Sequence, residues 1–296
     1  MNQARGAIKW ALYMLALLVV GPLASNSLAA LRDATGGHQA TALVGASLRA
    51  GLIATFLPLL AATLLGAVAS RLVGPRHGLL TAGLVLAWAA WRSATIDGLM
   101  RVTRDSGAIM PLAIEGAILG VIGLLIGAIV WGVGTAGEAK PTNADSAART
   151  GLGAKAATDL LISASRGRGG AFTAIVIGVL AGAAAVWLIA QEPLKGQTIA
   201  ACLVAGIAAG GFGKAVTPRD QPASPIPALA AMALLATLAP LSALVMHTSP
   251  RLVTDAIQGK LFALAIPMPL DWLAGAFWGI PIGLSWADSM VEKHEK

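Results

Sequence analysis

Charged residues are scarce in this chain, and their scarcity argues against most classes of soluble protein. Asp, Glu, Lys and Arg make up 12% of the 296 residues, whereas soluble domains contain about 25%. Hydrophobic residues make up 56%, and the mean hydropathy is +0.76. Because so little polar side-chain material cannot coat a water-soluble globule, we expect a lipid bilayer to be the solvent.

Several chemical signatures are also missing. The single cysteine, Cys202, excludes an intrachain disulfide and a thiolate metal site. The four histidines lack helical metal-ligand spacing, so we expect neither a metal nor a cofactor. No phosphate-binding loop or serine-hydrolase turn is complete, which favours a protein that is not an enzyme. The net charge of +7 is spread over short loops, so nucleic acid is not an expected partner.

Eight long apolar runs dominate the sequence. They cover residues 10–31, 50–70, 78–96, 106–137, 169–191, 196–213, 221–246 and 261–287. A transmembrane helix needs about 20 predominantly apolar residues, and only the run 196–213 falls short. The alternation typical of barrel strands is absent. The pattern predicts an all-α polytopic integral membrane protein with about eight transmembrane helices.

A polar segment, residues 138–170, divides the chain into a first membrane half, 1–137, and a second, 171–296. Aligning 107–127 with 263–283 without gaps places Pro111 on Pro267 and Glu115 on Asp271. The alignment predicts two parallel four-helix repeats, related by an axis along the membrane normal. The competing explanation is chance, because the other matching positions are common Gly and Ile residues.

The distribution of basic residues predicts the orientation. With the N-terminus inside, 13 Lys and Arg residues lie on the inner side and eight on the outer side. This bias predicts that both termini and the polar linker are cytoplasmic, in a membrane of the bacterial inner-membrane type. Alternatively the first run is a cleaved signal peptide, which would leave the topology of the other runs unchanged.

Two runs carry a single carboxylate four residues after a proline, namely Glu115 and Asp271. A charged Asp at the bilayer centre costs at least ~2.5 kcal/mol, so such a group usually has a function or a partner. The predicted helix-breaking prolines are Pro111, Pro267, Pro269 and Pro281. A break before Asp271 would put its carboxylate in the first turn of a half-helix, where the helix dipole favours negative charge.

These carboxylates are the candidate site for proton or cation coupling, with Asp271 titrating and Glu115 assisting. The competing interpretation of Asp271 is an N-cap-like group on a kinked helix. For Glu115 it is a first-turn residue at the level of the lipid headgroups.

Glycines spaced four residues apart mark the fourth, sixth and eighth runs as the packed centre, because they leave flat helix faces. The predicted helix-packing glycines are Gly116, Gly120, Gly123, Gly127, Gly275, Gly279 and Gly283. Gly275 follows Asp271 by one helical turn, so we expect the carboxylate to face protein rather than lipid.

Two outer loops carry polar residues at spacing suited to ion pairs on a helical turn. This predicted outer polar cluster comprises Asp97, Arg101, Arg104, His247, Arg251 and Asp255. Side by side, the two groups could bind an anionic headgroup or solute; alternatively they are solvated helix ends.

The leading functional hypothesis is a small secondary transporter or ion-coupled permease that binds a small solute or ion. The alternative is a non-catalytic membrane subunit or scaffold, with a membrane-protein partner or a homo-oligomer as its context. A lipid-modifying enzyme that uses the outer polar cluster is a more distant third hypothesis.

Overall fold

The structure, a computed structural model, describes residues 2–31, 41–44, 47–138, 168–217 and 224–292. These residues form helices and contain no β-strand. Seven of the helices are long and apolar enough to cross a membrane. The predicted class, an all-α polytopic integral membrane protein, is therefore confirmed. The predicted linker falls almost entirely outside the described residues.

The described residues of the first half form five helices, with two 3-10 helical segments. Helix α1 consists of the consecutive segments Asn2–Leu15, a π-helical Ala16–Val20, Gly21–Ser25 and a 3-10 helical Asn26–Leu31. It is followed by α2 (Leu48–Val73), α3 (Pro75–Arg92), the short α4 (Ile96–Thr103), a 3-10 turn (Ser106–Ala108) and α5 (Ile109–Glu138). Side-chain caps from Ser47 and Thr95 begin α2 and α4, because their oxygens accept otherwise unpaired backbone N–H groups.

The second half follows the same order of long and short elements. It contains α6 (Arg168–Ile189), α7 (Lys195–Ala215), α8 (Ile226–Met246), the short α9 (Ser249–Ile257), a 3-10 turn (Ala263–Ala265) and α10 (Pro269–Glu292). In both halves a short helix and a 3-10 turn therefore precede the last long helix. The main contacts between the halves also correspond, because α5 packs on α8 and α10 packs on α3. A duplication predicts this arrangement, and the duplication itself stays a hypothesis.

Helix α10 differs from the predicted eighth span. It begins at Pro269 rather than at residue 261, and it is not among the seven helices that meet the length and composition of a membrane span. It carries Asp271 and Asp288, and its first half is completely enclosed by other helices. Trp272 and Phe277 are the largest fully buried side chains of the described residues. Helix α10 is thus the centre of the bundle.

The prolines behave in two ways. Pro267 lies in the non-helical segment before α10, and Pro269 is the first residue of α10, so the chain does break before Asp271. The predicted breaks at Pro111 and Pro281 are wrong. Pro111 is the third residue of α5, where no intrahelical partner for its missing N–H is needed. Pro281 lies inside α10, which continues to Glu292 because neighbouring helices support it on both sides.

Close approach between helix backbones organises the bundle, and it occurs at the predicted glycines. Gly116 and Gly120 lie against Ala236 and Ala233 of α8. Gly123 and Gly127 face the side chains of Leu273 and Leu229. On α10, the three glycines at spacing four lie against the backbone of α7, which runs parallel to it from Cys202 to Gly211.

We expect Gly279→Ala to destabilise the protein, because its Cβ would lie 2.7 Å from the backbone nitrogen of Ile207. Neither backbone can shift freely, and overpacking of this kind costs about 1–3 kcal/mol. The matched control is Gly211→Ala on the opposite face of the same interface, whose nearest neighbour would lie at an ordinary 3.6 Å. Thermal unfolding in mild detergent should show a lower midpoint for Gly279→Ala alone; equal midpoints would contradict this account of the packing.

Candidate functional site

The Asp271 carboxylate lies in the first turn of α10 and is completely buried. Its Oδ2 accepts a hydrogen bond of 2.9 Å from the backbone N–H of Met268, the residue before the helix. An acidic side chain at the third helical position that reaches back in this way forms half of a capping box. Pro269 occupies the first position of the helix. Its fixed φ suits the helix, and its lack of an N–H costs no intrahelical hydrogen bond there.

Capping is only part of the role of Asp271, because the carboxylate also binds a lysine. The Nζ atom of Lys195 lies 2.9 Å from Oδ1 and 3.1 Å from Oδ2 of Asp271. Lys195 is the first residue of α7, and its side chain is 12% exposed. A cation at a helix N-terminus is disfavoured by the helix dipole, and the buried carboxylate compensates for this.

A third helix, α3, takes part in the network through Ser93, the residue that follows its last turn. Its hydroxyl donates to the carbonyl of Ala90 over 2.8 Å and accepts from Nζ of Lys195 over 3.0 Å. Ser93 belongs to the first half of the chain, whereas Lys195 and Asp271 belong to the second. The network therefore joins the two halves at the end of the bundle where α7 and α10 begin.

Glu115 lies in the second turn of α5 and is also buried, with 3% of its surface exposed. Its Oε2 accepts hydrogen bonds from the hydroxyl of Thr41, at 2.5 Å, and from the backbone N–H of Leu43, at 2.9 Å. These donors belong to the turn 41–44, which precedes α2. Glu115 therefore binds the turn before α2, and Asp271 binds the first residue of α7, the second long helix of its own half.

The surroundings of the two carboxylates meet at one small cavity. Glu115, Thr41 and Thr55 are among its lining residues, and so are Ser93 and Met268, which belong to the Asp271 network. The structure thus brings the two sequence-predicted carboxylates to neighbouring networks, although each has its own partners.

The outer polar cluster forms local contacts. On α4, the Nε atom of Arg101 lies 3.7 Å from Oδ2 of Asp97. The Arg101 guanidinium also donates to the carbonyl of Ile257 at the end of α9. His247 binds Asp255 at 2.8 Å, and its Nε2 accepts from the backbone N–H of Phe262. Arg104 and Arg251 are exposed. The two predicted groups are brought together by contact between α4 and α9, but His247 has a structural role as a brace for the loop after α9.

Sequence reasoning missed Lys195, Ser93 and Thr41 as partners of the carboxylates. Lys195 was counted among the loop charges, because a lysine at the end of an apolar run ordinarily lies at the headgroups. No spacing in the sequence relates it to Asp271, which is 76 residues away. No metal-binding group of His, Cys, Asp and Glu side chains occurs within the described ranges. No protein family matches the chain, and neither does any curated protein or solved structure.

We expect Asp271→Asn to lower the free energy of unfolding by about 3–5 kcal/mol, because it leaves the Lys195 ammonium without its counterion. Asparagine retains the oxygen that accepts from Met268, so the loss would report on the ion pair rather than on the cap. The double variant Asp271→Asn/Lys195→Met should recover much of the loss, since no charge is then left unpaired. Thermal unfolding of both single variants and the double variant completes the cycle; additive losses would contradict a coupled pair.

Proposed function

We propose that this protein is a small secondary transporter whose two halves move against each other around α3 and α10. The buried Lys195–Asp271 ion pair is the observation that supports this proposal most directly. Burying an ion pair is costly even when it is well paired, so stability alone does not account for keeping one here. A carboxylate that can exchange a lysine for a proton or a solute can instead control a conformational change.

A second ionic contact supports the same proposal. Arg76, at the start of α3, pairs with Asp288, near the end of α10, and the Arg76 guanidinium also donates to Ser285. The interface between α3 and α10 is therefore closed by a polar contact at each of its two ends. Between them the helices touch at Gly83, which lies against the backbone of Phe277 and Trp278. Alternating access requires two closures that open in turn, and these contacts have the necessary positions.

In this mechanism, protonation of Asp271 removes its attraction for Lys195. The Lys195 ammonium is partly exposed and can turn towards the aqueous end of the bundle, which releases α3 at Ser93. The Arg76–Asp288 contact holds the opposite end closed meanwhile. We place both termini in the cytoplasm of a bacterial-type inner membrane, on the distribution of Lys and Arg, so Lys195 and Asp271 would form the outer closure.

Reconstituted flux measurements test this function. Proteoliposomes loaded with a pH-sensitive dye would be given an imposed proton gradient and a panel of amino acids, sugars, amines, organic anions and metal ions. We expect at least one class of solute to change the internal pH with the wild-type protein and not with Asp271→Asn. Lys195→Met/Asp271→Asn is the control for stability, since it also lacks the titrating group but leaves no unpaired charge.

If no solute of the panel changed the internal pH, although the protein was verified to be correctly inserted, the transporter proposal would be contradicted. Flux that is unchanged in Asp271→Asn would contradict the coupling role of this residue while leaving transport itself intact.

The second candidate function is a non-catalytic membrane subunit or scaffold. It is favoured by the contacts of Asp271 with Lys195 and with the backbone of Met268, because such contacts can serve to stabilise the fold alone. Native mass spectrometry of the protein, extracted gently from its own membrane, separates the two candidates. A stoichiometric protein partner is the result expected of a subunit, whereas a solitary chain or small homo-oligomer is expected of the transporter.

A further inference from the structure

A deep apolar cleft opens between α2 and α5 on the membrane-facing surface. Its volume is about 420 Å³, which lies within the range of about 300–1,000 Å³ typical of small-molecule sites. Its rim is formed by side chains that are exposed towards lipid, among them Ile53, Phe56 and Ile118. A ligand would therefore reach the cleft from the bilayer rather than from water.

The Glu115 carboxylate is the charged group of this cleft. Its described partners are neutral donors: the hydroxyl of Thr41 and the backbone N–H of Leu43 both bind Oε2, and the backbone N–H of Ala42 also donates to the carboxylate. Within the described ranges, no Lys, Arg or His side chain lies within ion-pair distance of Glu115, in contrast to Asp271. A buried carboxylate in an apolar surrounding is costly without a positive partner, so the cleft is electrostatically suited to a cation.

The Thr55 hydroxyl is another buried polar group in the same place, and it has no partner among the described residues. Thr55 is 4% exposed, and its Oγ1 has no hydrogen-bond partner. Other threonines in the spanning helices, Thr63 and Thr237 among them, donate to the carbonyl four residues earlier. Thr55 does not, and it lines both the cleft and the small cavity beside it. A buried hydroxyl without a partner calls for an explanation, and a bound polar group would supply one.

We propose that this cleft is a binding site for a lipophilic monovalent cation, such as a hydrophobic ammonium compound, whose charged end lies beside Glu115. The apolar body would occupy the space between α2 and α5. The ring of Phe56 lines the cleft and offers a cation–π surface in addition to the carboxylate. Thr55 would accept a hydrogen bond where the cation carries an N–H group.

Charge decides between this ligand and a bilayer lipid. An acyl chain would fill the apolar part of the cleft but would leave Glu115 without a counterion and Thr55 without a partner. An anionic headgroup would be repelled by the carboxylate. A cation supplies the counterion for Glu115, and one that carries an N–H group also supplies a partner for Thr55. Its binding does not depend on the proposed transport function.

Direct binding measurements test the site. Purified protein in mild detergent would be titrated with tritiated tetraphenylphosphonium, whose charge does not change with pH. We expect saturable binding to the wild type and at least about tenfold weaker binding to Glu115→Gln. Glutamine can still accept from Thr41 and Leu43, so this variant removes the charge and retains the local contacts.

A steric variant keeps the test independent of Glu115. Ile118→Trp would fill the cleft from its lipid-facing rim and should also abolish binding. The matched control is Leu125→Trp, two turns further along the same exposed face of α5 and outside the cleft, which should bind like the wild type. The assay measures binding rather than flux, so failure of this site is distinguishable from failure of the proposed coupling.

Three results would overturn the proposal. One is the absence of saturable binding to the wild type, and another is equal binding to Glu115→Gln. The third is equally strong competition by neutral triphenylphosphine oxide, which would show that charge is not recognised. A phospholipid retained by the wild type in native mass spectrometry and missing from Ile118→Trp, without cation binding, would assign the cleft to a bilayer lipid instead.

Discussion

The buried contact between Lys195 and Asp271 is the constraint on which the centre of this bundle depends. It sets where α7 and α10 begin, and through Ser93 it attaches the end of α3 to both. The parallel packing of α7 on α10 then follows from the glycines that succeed Asp271 at every helical turn. Because an unpaired charge in this position would be far more costly than the pair, the three helices cannot separate independently.

The two halves use their carboxylates in corresponding places but in different electrostatic environments. Glu115 binds the turn that precedes α2, and Asp271 binds the first residue of α7, so each contacts the start of the second long helix of its own half. Asp271 has a lysine as its partner, whereas Glu115 has neutral donors and borders an apolar cleft. Under the two proposals above, the paired carboxylate acts as a closure, and the carboxylate that has only neutral partners among the described residues attracts a cation. Residues of both networks line the small cavity between them.

Much of the fold was predictable, because hydrophobicity and helix breakers act locally. Seven of the eight long apolar runs correspond to helices long and apolar enough to span a membrane, and Pro267 and Pro269 indicated the break before Asp271. Pro111 and Pro281 misled the prediction, since a proline in a first turn or in a well-supported helix does not interrupt it. The short helices α4 and α9 were not predicted as elements, because they are amphipathic caps at the end of the bundle. Each has only eight or nine residues, and their polar residues indicated outer loops instead.

The sequence by itself determined that the chain is an α-helical membrane protein and that two of its carboxylates are unusual. Both conclusions follow from the cost of charge in hydrocarbon, which depends on residue type alone. Only the tertiary structure decided which partner each carboxylate has, because Lys195 and Thr41 are brought to them by packing between helices distant in sequence. The cleft beside Glu115 likewise exists only where the side chains of α2 and α5 leave space, and no sequence pattern encodes such a gap.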